Sequence, residues 1–293
     1  MPIVFALLAA FCNALNVVTQ HIASISDPGH SKGWQFVRYL VANPLWLFGW
    51  VALIGAFVFQ ALALHNGLMS VVQPLLVTEL VFALVLRRVW IRQSIRAVTW
   101  WSAALTCVSL ALFIAVSEPT GADATPASSD WVGATVAVVV VTATLCLLAL
   151  RGSPGRRAAL LGAATSVLWA LVATFIKATT DSLTQYGVGG MFAHWPVYAL
   201  AIAGLAAELL DQATLHVGPL SMSQPFLVVV DPIVSIALSV WVFSEMFTES
   251  VPRLAFGSLS FAVMCASIVV LTRTTPDTME AAAPRGALGA SPS

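Results

Sequence analysis

Charge is what this chain has least of. Of its 293 residues only 13 are Lys or Arg and 13 are Asp or Glu, 9% in all against about a quarter in an ordinary soluble domain, so it cannot clothe a water-facing surface. The formal net charge is zero and no Lys/Arg-rich run occurs, which excludes nucleic acid as a partner. Cysteine is scarce too. Cys12, Cys107, Cys146 and Cys265 each fall in a different apolar segment with no CxxC pair, which excludes a disulfide framework or a thiolate metal site and leaves small core residues. The first twenty residues contain no Lys or Arg and so lack the charged start of a secretory leader; they read as a retained first helix. There is no HExxH, no nucleophile elbow and no P-loop, so the chain is not expected to be an enzyme or an ATP-driven pump, and no cofactor is expected.

What is present is hydrocarbon. The composition is 59% hydrophobic with a mean hydropathy of +0.91, that of an integral membrane protein. Nine apolar runs are near the length that spans a bilayer: 2–20, 45–64, 68–86, 97–116, 131–150, 157–177, 195–214, 217–244 and 255–272. The expected fold is therefore all-α, a polytopic membrane bundle of nine helices. A Gly/Pro/Ser/Ala-rich loop, SEPTGADATPASSD, separates the fourth run from the fifth, and a Pro/Ala/Gly tail over 274–293 is expected to be disordered and cytoplasmic. Cytoplasmic loops retain Lys and Arg. With the N-terminus outside, Lys32, Arg38, Arg87, Arg88, Arg92, Arg96, Arg151, Arg156, Arg157, Arg273 and Arg285 all fall inside, and only Lys177 and Arg253 fall outside. That partition predicts a multi-pass protein of the cell membrane, N-out and C-in. Trp46, Trp50, Trp90, Trp100, Trp101, Trp131, Trp195 and Trp241 lie near predicted helix ends, where an indole reaches the interface; Trp169 falls mid-helix.

The chain also repeats itself. LHNGLMSVVQPLLV at 64–77 returns as LHVGPLSMSQPFLV at 215–228, with eight of fourteen positions identical. In both copies a His-x-Gly turn, His65-x-Gly67 or His216-x-Gly218, opens a helix into which a proline falls. Pro74 and Pro225 have no N–H to give, which frees the carbonyls of Ser70 and Ser221 in surroundings that cannot solvate them; Ser and Gln one turn away could do so. In the nine-crossing topology the copies run in opposite directions, giving two inverted four-helix repeats: residues 1–130, then a linking helix over 131–150, then residues 151–273. Interrupted helices in matching positions of two inverted repeats point to a transporter's binding site.

Polar residues inside apolar helices cost free energy and mark interior faces. Asn13, Asn16 and Gln20, spaced i, i+3, i+7, form one stripe, and Ser166, Ala170, Ala173 and Lys177 form a matching small and polar face on the sixth segment. Four carboxylates fall in apolar runs: Glu79, Glu208, Asp211 and Asp231. A charge at the bilayer centre costs about 2.5–3.5 kcal/mol on insertion scales, so each needs a partner, a proton or a wet cavity. Asp231 shares a face with Gln224, seven residues earlier, and Asp231-Pro232 makes a second break that frees the Val228 carbonyl. Glu79, six residues from Gln73, points about 120° away from it on a continuous helix, and a pair with a snorkelling arginine such as Arg87 is the alternative to a functional role for it. Glu208 and Asp211, at i and i+3, could share a proton or bind a divalent cation.

The elements FQALALHNGLMSVVQPLLV, 59–77, and LDQATLHVGPLSMSQPFLV, 210–228, with NPLWLFGW at 43–50, resemble the drug/metabolite transporter superfamily in its EamA-like branch. The GPLSxxQP stretch at 218–225 is also similar to NIPA-type magnesium transporters. The resemblance spans residues 2–272 and departs from the usual ten-helix pattern by one crossing. It implies a secondary carrier, an exporter of a small metabolite or drug that works by alternating access. Asn13, Asn16, Gln20, Gln73 and Gln224 are then expected to bind substrate, with Trp169 as an apolar wall. Asp231, Glu79, Glu208 and Asp211 would carry protons or ions. The implied partners are the lipid bilayer, a small-molecule or ion substrate and a second copy of the chain as a homodimer. A magnesium transporter and a non-transporting scaffold for lipid or cell-wall assembly are the alternatives.

Overall fold

The computed structural model describes residues 1–25, 43–92, 94–121, 126–217, 220–247 and 250–275, excepting the side chains of Ser24, Ile25, Ile91, Leu215, His216, Leu220 and Ser221. Lys32, Arg38, Gly218, Arg285, the side chains of His216 and Ser221, and the 276–293 tail lie outside the described residues. The rest is helical: α1 (Pro2–Ile25), α2 (Pro44–Asn66), α3 (Met69–Leu76), α4 (Glu79–Leu86), α5 (Ala97–Ser117), α6 (Ser128–Ala149), α7 (Pro154–Met191), α8 (Pro196–Val217), α9 (Leu220–Phe243) and α10 (Val251–Thr274). A π-helical turn, Arg87–Ile91, prolongs α4. Among the described residues nine spans are long and apolar enough to cross a membrane, α3 and α4 together making the third. The chain is an all-α polytopic bundle.

Local chemistry sets the helix starts. Pro44 and Pro154 occupy first-turn positions where their missing N–H costs nothing, and the side chains of Asn43 and Ser153 accept from Leu45 N at 2.9 Å and Arg156 N at 3.4 Å. The third span is broken by a turn at Val77–Thr78, just after Pro74. α7 runs well beyond the 157–177 read from hydropathy. Its apolar stretch stops at Lys177, but ATTDSLTQY contains no helix breaker, so the helix continues to Gly187, whose φ of 71° and ψ of 179° only glycine adopts readily.

The packing repeats in the two halves. α1 lies against α2 and against α3 and α4; α7 lies against α8 and α9. α3 meets α9 across the halves, α5 pairs with α10, and α6 lies on α7. Two glycines permit the closest approaches. A Cβ on Gly49 would come within 2.8 Å of Thr19 Oγ1, and one on Gly162 within 2.8 Å of the Ser223 carbonyl oxygen. α9 therefore rests backbone-first on α7, and Ser166, one turn beyond Gly162, donates its hydroxyl to the Leu227 carbonyl at 2.8 Å. That carbonyl stands one residue before Val228, whose own carbonyl Pro232 deprives of its helical donor, so α7 contacts α9 beside the proline.

Candidate functional site

Three crossings bring their middles together. Asn13, halfway along α1, donates from Nδ2 to Glu79 Oε2 at the start of α4. Asp231, halfway along α9, lies within electrostatic reach of Glu79, with Ser235 Oγ beside it one turn on. The structure so gathers Asn13, Glu79 and Asp231 from both halves into one polar group inside an apolar bundle. The partner that Glu79 holds is Asn13 of α1, not an arginine such as Arg87.

Gln73 and Ser70 stand on α3 between this group and one end of the bundle. Their side chains are 1% and 0% exposed, yet Gln73 Nε2 and Ser70 Oγ make no hydrogen bond. They do not serve the carbonyl that Pro74 frees. A buried amide or hydroxyl without a partner costs about 1–3 kcal/mol, and two on one short helix are a feature to be explained by what passes or binds there.

No family model matches the chain, and no solved structure matches it. It is similar to an uncharacterized protein of Corynebacterium glutamicum, 28% identical over 277 residues that cover 94% of this chain and 96% of that one. The likeness thus runs through both halves.

The other sequence-read residues sit elsewhere. Gln20 Nε2 donates to Asn16 Oδ1 at 2.7 Å, so the two satisfy each other along α1, with Gln20 against Gly49 of α2. Trp169 is half-buried against the core, and Gln224 half-buried in the first turns of α9. Glu208 accepts from Gln212 at 2.9 Å and neighbours Asp211 on α8, a pair separate from Glu79 and Asp231. Among the described residues no three His, Cys, Asp or Glu are grouped as metal ligands, so the four carboxylates do not form one ligand set.

Two residues escape sequence reasoning. Glu245, just beyond the end of α9 and 1% exposed, accepts from the N–H groups of Met69 and Ser70 at 2.8 and 2.9 Å, capping α3 from the other half of the chain. Lys177 Nζ lies 3.7 Å from Glu245, donates to the Gly67 carbonyl at 3.1 Å and stands 5.0 Å from the centre of the Phe243 ring. Around them Trp131, Phe175, Trp195 and Phe243 form an aromatic cluster, with Trp131 5.1 Å from Trp195 and 5.7 Å from Phe243. A cavity of about 500 Å³ opens there, lined by Leu68, Lys177, Glu245 and three of these rings. The tryptophans read as interface residues thus also build a wall. Only Lys177, which closes the small and polar face read on the sixth segment, signalled the place.

Proposed function

We propose that this chain is a secondary carrier that moves a small solute across the membrane by alternating access, with Asn13, Glu79 and Asp231 as its central binding and coupling group. The observation that carries the reading is the meeting of these three residues, each from the middle of a different crossing and drawn from both halves. A bundle held together by packing alone has no need to place two carboxylates within reach of one another in hydrocarbon. The interrupted third span and the proline-broken α9 cross at the same place, as expected where two inverted repeats frame a midplane site.

The N-out, C-in orientation belongs to this proposal. Lys177 and Arg253, the two cations left on the outer side, are each matched by a carboxylate at that end, Glu245 at 3.7 Å and Glu118 at 2.6 Å. Neither therefore weighs as a free charge against the positive-inside partition.

The test uses purified protein in proteoliposomes loaded with a pH-sensitive dye and challenged with amino acids, amphiphilic drugs and Mg2+ under an imposed proton gradient. At least one class is expected to elicit solute-dependent proton movement, and Asp231→Asn is expected to abolish it while leaving insertion intact. Undiminished movement in Asp231→Asn would remove Asp231 from the mechanism, and with it the reading of the central group as a coupling site.

A further inference from the structure

The central group needs a way in, and one end of the bundle offers a single line of polar atoms towards it. The cavity at Leu68, Lys177 and Glu245 is open at the end where α2 turns into α3. Below it on α3 come Ser70 Oγ and Gln73 Nε2, buried and unbonded, and then Glu79 beyond the turn at Val77–Thr78. Met69 to Glu79 is roughly 15 Å at helical rise, half the hydrocarbon thickness, so the line joins the end of the bundle to its middle.

At the top of that line sits Glu245. Its carboxylate spans the two halves, held by two backbone N–H groups of α3 and by Lys177 of α7, which itself holds the Gly67 carbonyl. The two N–H contacts of Glu245 and the Lys177 contact with Gly67 must break if α3 is to part from α7 and α9 at this end, while the Lys177–Glu245 pair stays on the other side. A carboxylate that is 1% exposed is costly to bury, and here its partners are the very helix start that would have to move. Charged hydrogen bonds between elements that separate in one state and meet in another are the form taken by switching interfaces.

We propose that the cavity walled by Trp131, Trp195 and Phe243 is the vestibule of the carrier, that Ser70 and Gln73 line its passage to the central carboxylates, and that Glu245, seated on α3 and held by Lys177, is the gate between them. The purpose assigned to the gate rests on the carrier reading; its existence does not, because accessibility is measured without transport.

The experiment places one cysteine at Gln73→Cys in a background with Cys12, Cys107, Cys146 and Cys265 replaced, and follows its modification by a small cationic methanethiosulfonate in detergent-purified protein. Modification is expected to be slow with Glu245 in place and at least tenfold faster in Glu245→Ala, and likewise in Lys177→Met. Ser182→Trp, which fills the vestibule from α7, is expected to return both to the slow rate. A Met264→Cys reporter, 0% exposed in the core of α10, is expected to stay unmodified throughout. An unchanged rate in both variants would overturn the gate, and so would acceleration that persists with Ser182→Trp, which places the route elsewhere. Equal acceleration at Met264→Cys would make Glu245 a structural staple and overturn it as well. If the gate behaves as expected while Asp231→Asn leaves flux undiminished, it is the coupling role of the centre that fails and not the gate.

Discussion

Replacing Lys177 by Met keeps the side chain's length and apolar stem and removes only the ammonium. The charge that disappears lies 3.7 Å from a Glu245 oxygen, and the two side chains are 14% and 2% exposed, so solvent screens the pair little. At an effective dielectric of about 20, the attraction at that distance is about 4.5 kcal/mol. Measured losses when one partner of a buried pair is removed run at about 3–5 kcal/mol. Glu245 keeps its two N–H donors from Met69 and Ser70, which places Lys177→Met at the lower end, about 3 kcal/mol. For a chain of this size that corresponds to a fall of about 6 °C or more in the apparent melting temperature. Intrinsic tryptophan fluorescence in detergent reads it directly, since Trp131 and Trp195 stand in the same aromatic cluster as Phe243, over which the ammonium sits. Adding Glu245→Gln to Lys177→Met removes the stranded charge and is expected to recover at least half of the loss, a coupling that the double-mutant cycle isolates. A single variant within 1 °C of the parent, or a double variant less stable than Lys177→Met alone, would refute the account of the pair.

Arg253→Ala is expected to shift the melting temperature by no more than about 2 °C, although Arg253 and Glu118 are only 2.6 Å apart, because both side chains are more than half exposed and such pairs contribute under about 1 kcal/mol. Ser166→Ala removes the hydroxyl that α7 donates to the Leu227 carbonyl and is expected to cost about 0.5–1.5 kcal/mol, read in the same melting assay. Gly162→Ala sets about 1 kcal/mol of gained helix propensity against about 1–3 kcal/mol of overpacking on the Ser223 carbonyl, so a net loss is expected; a stabilised variant would show that α9 can yield. On the proposed function, Asn13→Leu removes the donor to Glu79 and is expected to slow solute-dependent proton movement at least tenfold without lowering the yield of inserted protein.

The nine spans were legible because hydrocarbon length and apolar run length are the same quantity, and that reading holds to within a few residues except on α7, where the helix outlasts its hydropathy. Asn13, Glu79 and Asp231 were legible as residues, since a polar group in an apolar run has to be answered by something. Their partners were not. That Glu79 is held by Asn13 rather than by an arginine such as Arg87 follows from how α1 packs on α4, which nothing in VTEL announces. Glu245 was hidden for the opposite reason. It lies one residue past the apolar run ending at 244, where an acid ordinarily meets water. That it caps a helix 175 residues away is a fact of tertiary structure with no local trace.

The central group shows how the halves relate in a way that residue-by-residue comparison conceals. Read as sequence, the repeats differ in where they place charge. Yet Glu79 follows Pro74 by five residues and Asp231 follows Pro225 by six, nearly the same station on the two copies. On the inverted-repeat reading, nearly equivalent residues on helices that touch must meet close to the pseudo-twofold axis, and α3 and α9 do touch across the halves. The offset of one residue would swing the second carboxylate by about 100° on an unbroken helix. The turn before Glu79 and Pro232 directly after Asp231 are the places where these two spans depart from regular helical bonding, so each acid stands beside an interruption of its own span.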